Sequence, residues 1–359
     1  MKLLFSEGQY TLQEGFEFAY SKSESGKQRF IRAPSPSELR ANLYLPSITL
    51  LRRPVPFGGT SAELAVEFSA PKLLFGNNFA ELSDGDFDTV VLRLEERLMY
   101  MGVKINRADI VRAKVTGWHP SKNIVLPVAF GCQVVINALR KVDVSRYYSV
   151  QKTDFIDGEV LHFHSNSKDI AFYDKLADLR KAKISDKRAV ENDNRIQTDI
   201  LENADGVSVL RFEVRLNGVR AIRRNYADAP DIITFWWLFS SKRSRHLLLD
   251  HWNKMAAQLD YLSLDSMQSL DVLQNYLLQN PDTSPQRALA EVGSMLIANQ
   301  SGRQVLRQTL EVAFGRHAWA RHKPSMNPAP AQRHKLVIQV QAALEQFEPL
   351  STDALLKHA

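Results

Sequence analysis

The chain has 359 residues and one cysteine, with 46 Lys and Arg against 40 Asp and Glu, a formal charge of +6. That length can bury a sizeable core and suits two domains; a single Cys132 excludes an internal disulfide framework and a thiolate cage for zinc; the positive balance favours polyanionic partners. No run approaches the roughly 20 apolar residues that span a bilayer, and MKLLFSEGQY lacks the apolar core of a signal peptide, so the cytoplasm is the expected compartment.

In chain order, LAVEFSAPKLLF opens as a strand. FDTVVLRLEERLMYMG carries Val90, Leu92, Leu94, Leu98 and Met101 at helical spacing, and NIVLPVAF returns to short apolar runs. His119, between Trp118 and Pro120, reads as the end of a strand at a turn. The segment Glu159 to Asp178, EVLHFHSNSKDIAFYDKLAD, is the most informative. Strand alternation puts His162 and His164 on one face, as two metal ligands or as an exposed histidine pair. Tyr173 and Lys175 lie two apart, so an extended backbone sets a phenol beside an ammonium. Arg180, Lys181, Lys183, Lys187 and Arg188 follow. They read as phosphate contacts or, because Asp178, Asp186, Glu191 and Asp193 dilute them, as a solvated face. The polar stretch from Ile184 to Gly206 predicts an exposed helix and loop.

LRFEVRL then places Arg211, Glu213 and Arg215 on one face of a strand and Leu210, Phe212, Val214 and Leu216 on the other. IITFWWLF, Ile232 to Phe239, predicts core. SSKRSRH marks the boundary between an α+β unit over residues 1–245 and a helical, basic unit over 246–359. In the second unit Ser284 and Pro285 form a helix start. RALAEVGSMLIA and RQVLRQTLEVAF then read as a helical hairpin or as a helix-turn-helix with Arg303 and Arg307 in a DNA groove. From Arg303 to Lys335 the cations Arg303, Arg307, Arg316, Arg321, Lys323, Arg333 and Lys335 face one acid, Glu311, and Trp319 offers a surface for base stacking. KPSMNPAPAQR reads as a linker before a last amphipathic helix.

These residue types suit phosphodiester chemistry. A tyrosine that attacks phosphorus becomes joined to the DNA and conserves the bond for rejoining. With an ordinary pKa near 10, roughly, the phenol needs a cation, a base or a metal to ionise, and Lys175 is the local candidate. His162, His164 and Glu213 offer the nitrogen and oxygen donors that suit Mg2+ or Mn2+ working beside substrate oxygens.

Five blocks carry a resemblance: VEFSAPKLLFGNNF (Val66 to Phe79), VRAKVTGWHPSKNIVL (Val111 to Leu126), QVVINALRKV (Gln133 to Val142), IAFYDKLAD and LRFEVRL. In this order, beginning near LYLPSITLLRRP at Leu43, they resemble the replication initiators of filamentous bacteriophages and their prophage relatives, rolling-circle nickases of the gene II type. The resemblance implies an antiparallel-sheet nuclease core with a mostly helical C-terminal domain. It implies Tyr173 as nicking nucleophile with Lys175 beside it, Asp178 where the family generally has glutamate, and Glu213 as the strand carboxylate that holds metal. His119 falls where a relative has aspartate, which implies a metal-ligand role if imidazole replaces carboxylate there, and HFH is similar to the His-hydrophobic-His motif of other rolling-circle nucleases. The implied partners are origin DNA, double- and single-stranded, and a host helicase and polymerase in the host cytoplasm. A non-catalytic DNA-binding regulator on the same scaffold and a relaxase or transposase are the rival readings.

Overall fold

The computed structural model describes residues 1–18, 20–24, 27–35, 38, 43–55, 59–126, 131–156, 158–184, 207–259, 272–273, 276–277, 280–322 and 335–351. It is a mixed α+β structure built on an eleven-stranded antiparallel sheet. Its strands are β1 (Lys2–Ser6), β3 (Tyr20–Glu24), β4 (Lys27–Arg32), β5 (Ser47–Pro54), β6 (Thr60–Glu67), β8 (Lys114–Trp118), β9 (Ser121–Leu126), β10 (Lys152–Ile156), β11 (Val160–His164), β12 (Lys168–Asp174) and β13 (Ser208–Asn217). The order is β10-β11-β12-β13-β8-β1-β6-β5-β4-β3, with β9 also paired to β13. A separate ribbon joins β2 (Tyr10–Leu12) to β7 (Val103–Ile105). Among the described residues no helix is long and apolar enough to cross a membrane.

Alternation in β13 sends Leu210, Phe212, Val214 and Leu216 to one face, each 0% exposed. On that face Phe212 stacks on Phe172 of β12, ring centres 4.4 Å apart. Helices Gly131–Arg140 and Ser241–Leu259 pack against β13, and helix Lys335–Gln346 packs against both of them and β9. The opposite face keeps the polar residues. Along one edge β13 pairs with β12 from Lys168↔Leu216 to Asp174↔Leu210. Along the other it pairs with β9 as far as Glu213↔Ser121 and then with β8 at Leu216↔Trp118. The β8–β9 turn, with His119 and Pro120, therefore crosses beside Glu213, where Val214 N–H donates to the Pro120 carbonyl at 3.0 Å.

Four local expectations change. The division at 245/246 falls inside helix Ser241–Leu259, whose Leu247, Leu248, Trp252 and Met255 belong to the same apolar cluster as Phe172 and Phe212. A long amphipathic helix joins whichever core meets its apolar face, and here that core is the sheet. IITFWWLF is split by one short helical turn, Phe235–Leu238, capped where the Thr234 hydroxyl accepts from Trp237 N–H. Ile233, Phe235 and Leu238 are sealed, while Ile232 and Trp236 are each 63% exposed. The strand carrying Tyr173 stops at Asp174, whose carboxylate accepts from Leu176 N–H at 2.9 Å and Ala177 N–H at 3.0 Å. That cap starts helix Lys175–Ile184, so Lys175 leaves the strand.

The fourth change concerns the C-terminal hairpin. Ser284 caps helix Pro285–Ser301, Gly302 turns at φ 92°, and helix Arg303–Phe314 follows. A side chain at Gly302 would be strained by that φ, and its β-carbon would meet the Lys141 backbone at contact distance, 3.4 Å. This contact turns the hairpin's arginines towards the body of the protein. Arg307 pairs at 3.0 Å with Asp143, which is fully buried, and Arg303 lies over the Trp319 ring, 5.6 Å from its centre. Neither arginine faces outward as a groove reader, and Trp319, only 9% exposed, packs with Ala298 and Leu306 instead of offering a stacking surface. The expected loop from 185 to 206 and the linker from 323 to 333 lie outside the described residues.

Candidate active site

Tyr173, Arg211, Glu213 and Arg215 share the polar face of the sheet, because Tyr173 pairs with Arg211 and Glu213 lies two residues further along β13. The Tyr173 hydroxyl donates to Glu213 Oε2 at 3.5 Å, a long contact. Arg215 holds the same carboxylate through Nε at 3.0 Å and Nη2 at 3.3 Å. Arg211 approaches it with Nε at 3.9 Å and is anchored through Nη1 to the Asn78 carbonyl (2.9 Å) and the Asn123 side chain (3.2 Å). The group opens on a cleft of about 830 Å³ whose wall also includes His119, Lys72, Tyr44 and Ser241.

Burial by itself would raise the Glu213 carboxyl, but the two guanidiniums outweigh it and hold the acid below its ordinary value. The Tyr173 phenol moves the other way. Burial raises it above 10, and Arg211 offsets only part of that. At neutral pH the cleft therefore pairs an un-ionised phenol with an ionised carboxylate. Lys175 is 1% exposed. It pairs with Asp178 at 2.9 Å and stands over the Tyr173 ring, 5.8 Å from its centre. Burial lowers its ammonium to about 8. His119 stands near Glu213, with Nε2 3.4 Å from Asn217 Oδ1, and burial lowers its pKa, keeping the ring neutral at pH 7.

The four expected metal ligands divide into two groups. Glu213 and His119 belong to the cleft. His162 and His164 lie on the same face but two strands away: His162 pairs with Ala171, which pairs with Glu213, a separation of about 10 Å between α-carbons. Their acidic neighbour is Asp169, directly across from His164, with the three side chains' donor atoms within 4.8 Å of one another. Asp169 was not singled out from the sequence, although the short polar turn Ser165-Asn166-Ser167 signals a hairpin that sets it opposite His164. Arg215 lies between the groups, hydrogen-bonded to Glu213 and cross-strand from Asp169. Glu213 is already held by Arg215, and among the described residues the one three-donor cluster of His and acid, His162, His164 and Asp169, lies outside the cleft.

Of the expected DNA contacts, Arg211 and Arg215 reach the cleft. Arg180 is exposed, and Lys181, 57% exposed, pairs with Glu159 at 2.5 Å. The side chain of Arg321 and all of Lys323 lie outside the described residues. Tyr148, outside the cleft, makes a 2.7 Å hydrogen bond with His251 Nδ1. Tyr44 is a second tyrosine in the cleft wall, with its hydroxyl accepting from Ser69 N–H at 2.7 Å. No family model, curated protein or solved structure matches the chain.

Proposed function

We propose that the protein is a phage rolling-circle replication initiator that cuts one strand of origin DNA with Tyr173 and later rejoins it. The observation that carries this reading is the Tyr173 hydroxyl set against Glu213 inside an arginine-lined cleft. In the cutting step the phenolic oxygen bonds to the scissile phosphorus as its proton passes towards Glu213. The bond from phosphorus to the 3′ oxygen breaks, and that oxygen, taking up a proton, leaves as a 3′-OH able to prime synthesis. Rejoining is the reverse attack by a 3′-OH on the phosphotyrosine. Arg211 and Arg215 are suited to neutralise the charge that builds on the non-bridging oxygens.

With the phenol raised and Lys175 engaged by Asp178, Tyr173 is un-ionised at rest, and its proton leaves towards Glu213 only as the oxygen attacks. The same feature is what a non-catalytic origin-binding regulator would present, so that is the competing reading. Under the first reading, incubation with supercoiled origin DNA and Mn2+ yields a nicked circle and a covalent adduct mapped by mass spectrometry to Tyr173. Tyr173→Phe removes both. Nicking that persists in Tyr173→Phe would sink the assignment, and origin binding without nicking by the unaltered protein would establish the regulator. Helicase and polymerase partners, and a host cytoplasmic location, follow from the resemblance and belong to the same proposal.

A further inference from the structure

We propose that His162, His164 and Asp169 bind one divalent transition-metal cation at a site separate from the Tyr173 cleft. The donor atoms already lie within 4.8 Å of one another, and the two imidazole rings are 3.7 Å apart centre to centre. His162 Nε2 is buried with no hydrogen-bond partner. A buried nitrogen that lacks a partner carries a desolvation cost unless something binds it. His164 Nε2 stands 2.9 Å from Asp154 Oδ2, while its Nδ1 lies 3.6 Å from Asp169 Oδ1. With Nε2–H donated to Asp154, Nδ1 presents its lone pair beside Asp169, the arrangement in which an outer carboxylate orients a ligating histidine.

The backbone presets the cluster. Three antiparallel strands run in register through Asp154↔His162↔Ala171 and Lys152↔His164↔Asp169, so the two histidines and Asp169 stand on one face without a loop having to move. Two imidazoles and one carboxylate favour cobalt, zinc or manganese over magnesium, which prefers oxygen ligands and retained water. Three protein ligands leave positions for water or an anionic oxygen, as in sites that act on substrates. The ion's presence does not depend on whether Tyr173 cuts DNA.

The test is equilibrium binding to chelator-treated, untagged full-length protein. Titration with Co2+ is expected to give one ion per chain, with a ligand-field absorption of mixed nitrogen and oxygen coordination. Calorimetry is expected to rank Zn2+ and Co2+ above Mn2+ and Mg2+ last. His162→Asn and Asp169→Asn should each weaken Co2+ binding more than Asp154→Asn, which should cost roughly tenfold or more as a supporting residue. Glu213→Gln should leave the affinity unchanged. Circular dichroism melts establish that each variant is folded. No stoichiometric binding, or binding that survives both His162→Asn and Asp169→Asn, overturns the proposal and leaves an ion-pair network. Loss in Glu213→Gln equal to that in His162→Asn also overturns it, by moving the ion into the cleft. Loss of nicking in Tyr173→Phe changes none of these readings.

Discussion

At the residue scale, Lys175 is where the candidate site and stability conflict. Its ammonium is 1% exposed and is matched by one carboxylate and one ring, so burial lowers it from 10.5 to about 8. Below about pH 8 both folded and unfolded chains carry the proton, and the folded state bears the whole burial penalty. Between about 8 and 10.5 the unfolded chain binds more protons, so this group's contribution to stability improves as pH rises. Lys175→Met should therefore raise unfolding free energy at pH 7 by about 2 kcal/mol, within the range a shift of this size allows, and the gain should shrink by pH 10. Urea unfolding at the two pH values measures it. A variant less stable at pH 7 would mean that the Asp178 pair and the Tyr173 ring more than offset the burial.

At the scale of elements, period-two alternation was legible wherever a strand kept one face in the core. LRFEVRL and VLHFH both distribute their side chains as their sequence pattern requires. What alternation could not give was the stop at Asp174, because the cap depends on a side chain reaching back to two amides. Nor could it give the direction of Arg307, since a cation near a helix start looks the same whether it meets DNA or a buried acid. The Asp143 carboxylate is fully buried, takes Ser145 N–H at 3.1 Å and Ser145 Oγ at 2.6 Å, and meets Arg307 at 3.0 Å. Removing one partner of a buried pair costs about 3–5 kcal/mol. Arg307→Ala should lower stability by about 3 kcal/mol, within that range, and expose the hairpin of residues 285–314 to protease. Asp143→Asn added to it should recover part of the loss, because a neutral amide needs no cation. If melting were unchanged and only DNA binding fell, Arg307 would be a groove reader after all.

At the scale of the whole molecule, the α+β character and the strands of the site were readable, whereas the convergence of distant segments was not. His119 comes beside Glu213 only because β13 exchanges β9 for β8 there, and Asp143 finds its cation 164 positions later at Arg307. Glu81 shows how far such closure reaches. Its carboxylate accepts from the Lys122 ammonium, from Asn123 N–H and, at 2.9 Å, from Leu350 N–H, while its own N–H donates to the Leu350 carbonyl at 3.0 Å. Lys122 is 4% exposed and also donates to the Glu348 carbonyl at 2.9 Å. One acid thus fastens residues 347–350 to β9, where Phe347 and Pro349 line the cleft and Leu350 joins the apolar cluster of Leu176 and Leu179. Asn123, held at its amide by Glu81, in turn anchors Arg211. Glu81→Gln keeps the shape and deletes the charge, leaving a buried ammonium with neutral acceptors and the Phe347 ring but no counter-charge, so stability should fall by about 3 kcal/mol. Hydrogen exchange should rise at Leu350, and Lys122→Met placed beside Glu81→Gln should restore most of the stability without restoring that protection. Were exchange at Leu350 to stay slow in Glu81→Gln, the apolar contacts of Leu350 would be holding the segment by themselves, and the carboxylate would have no part in shaping the cleft.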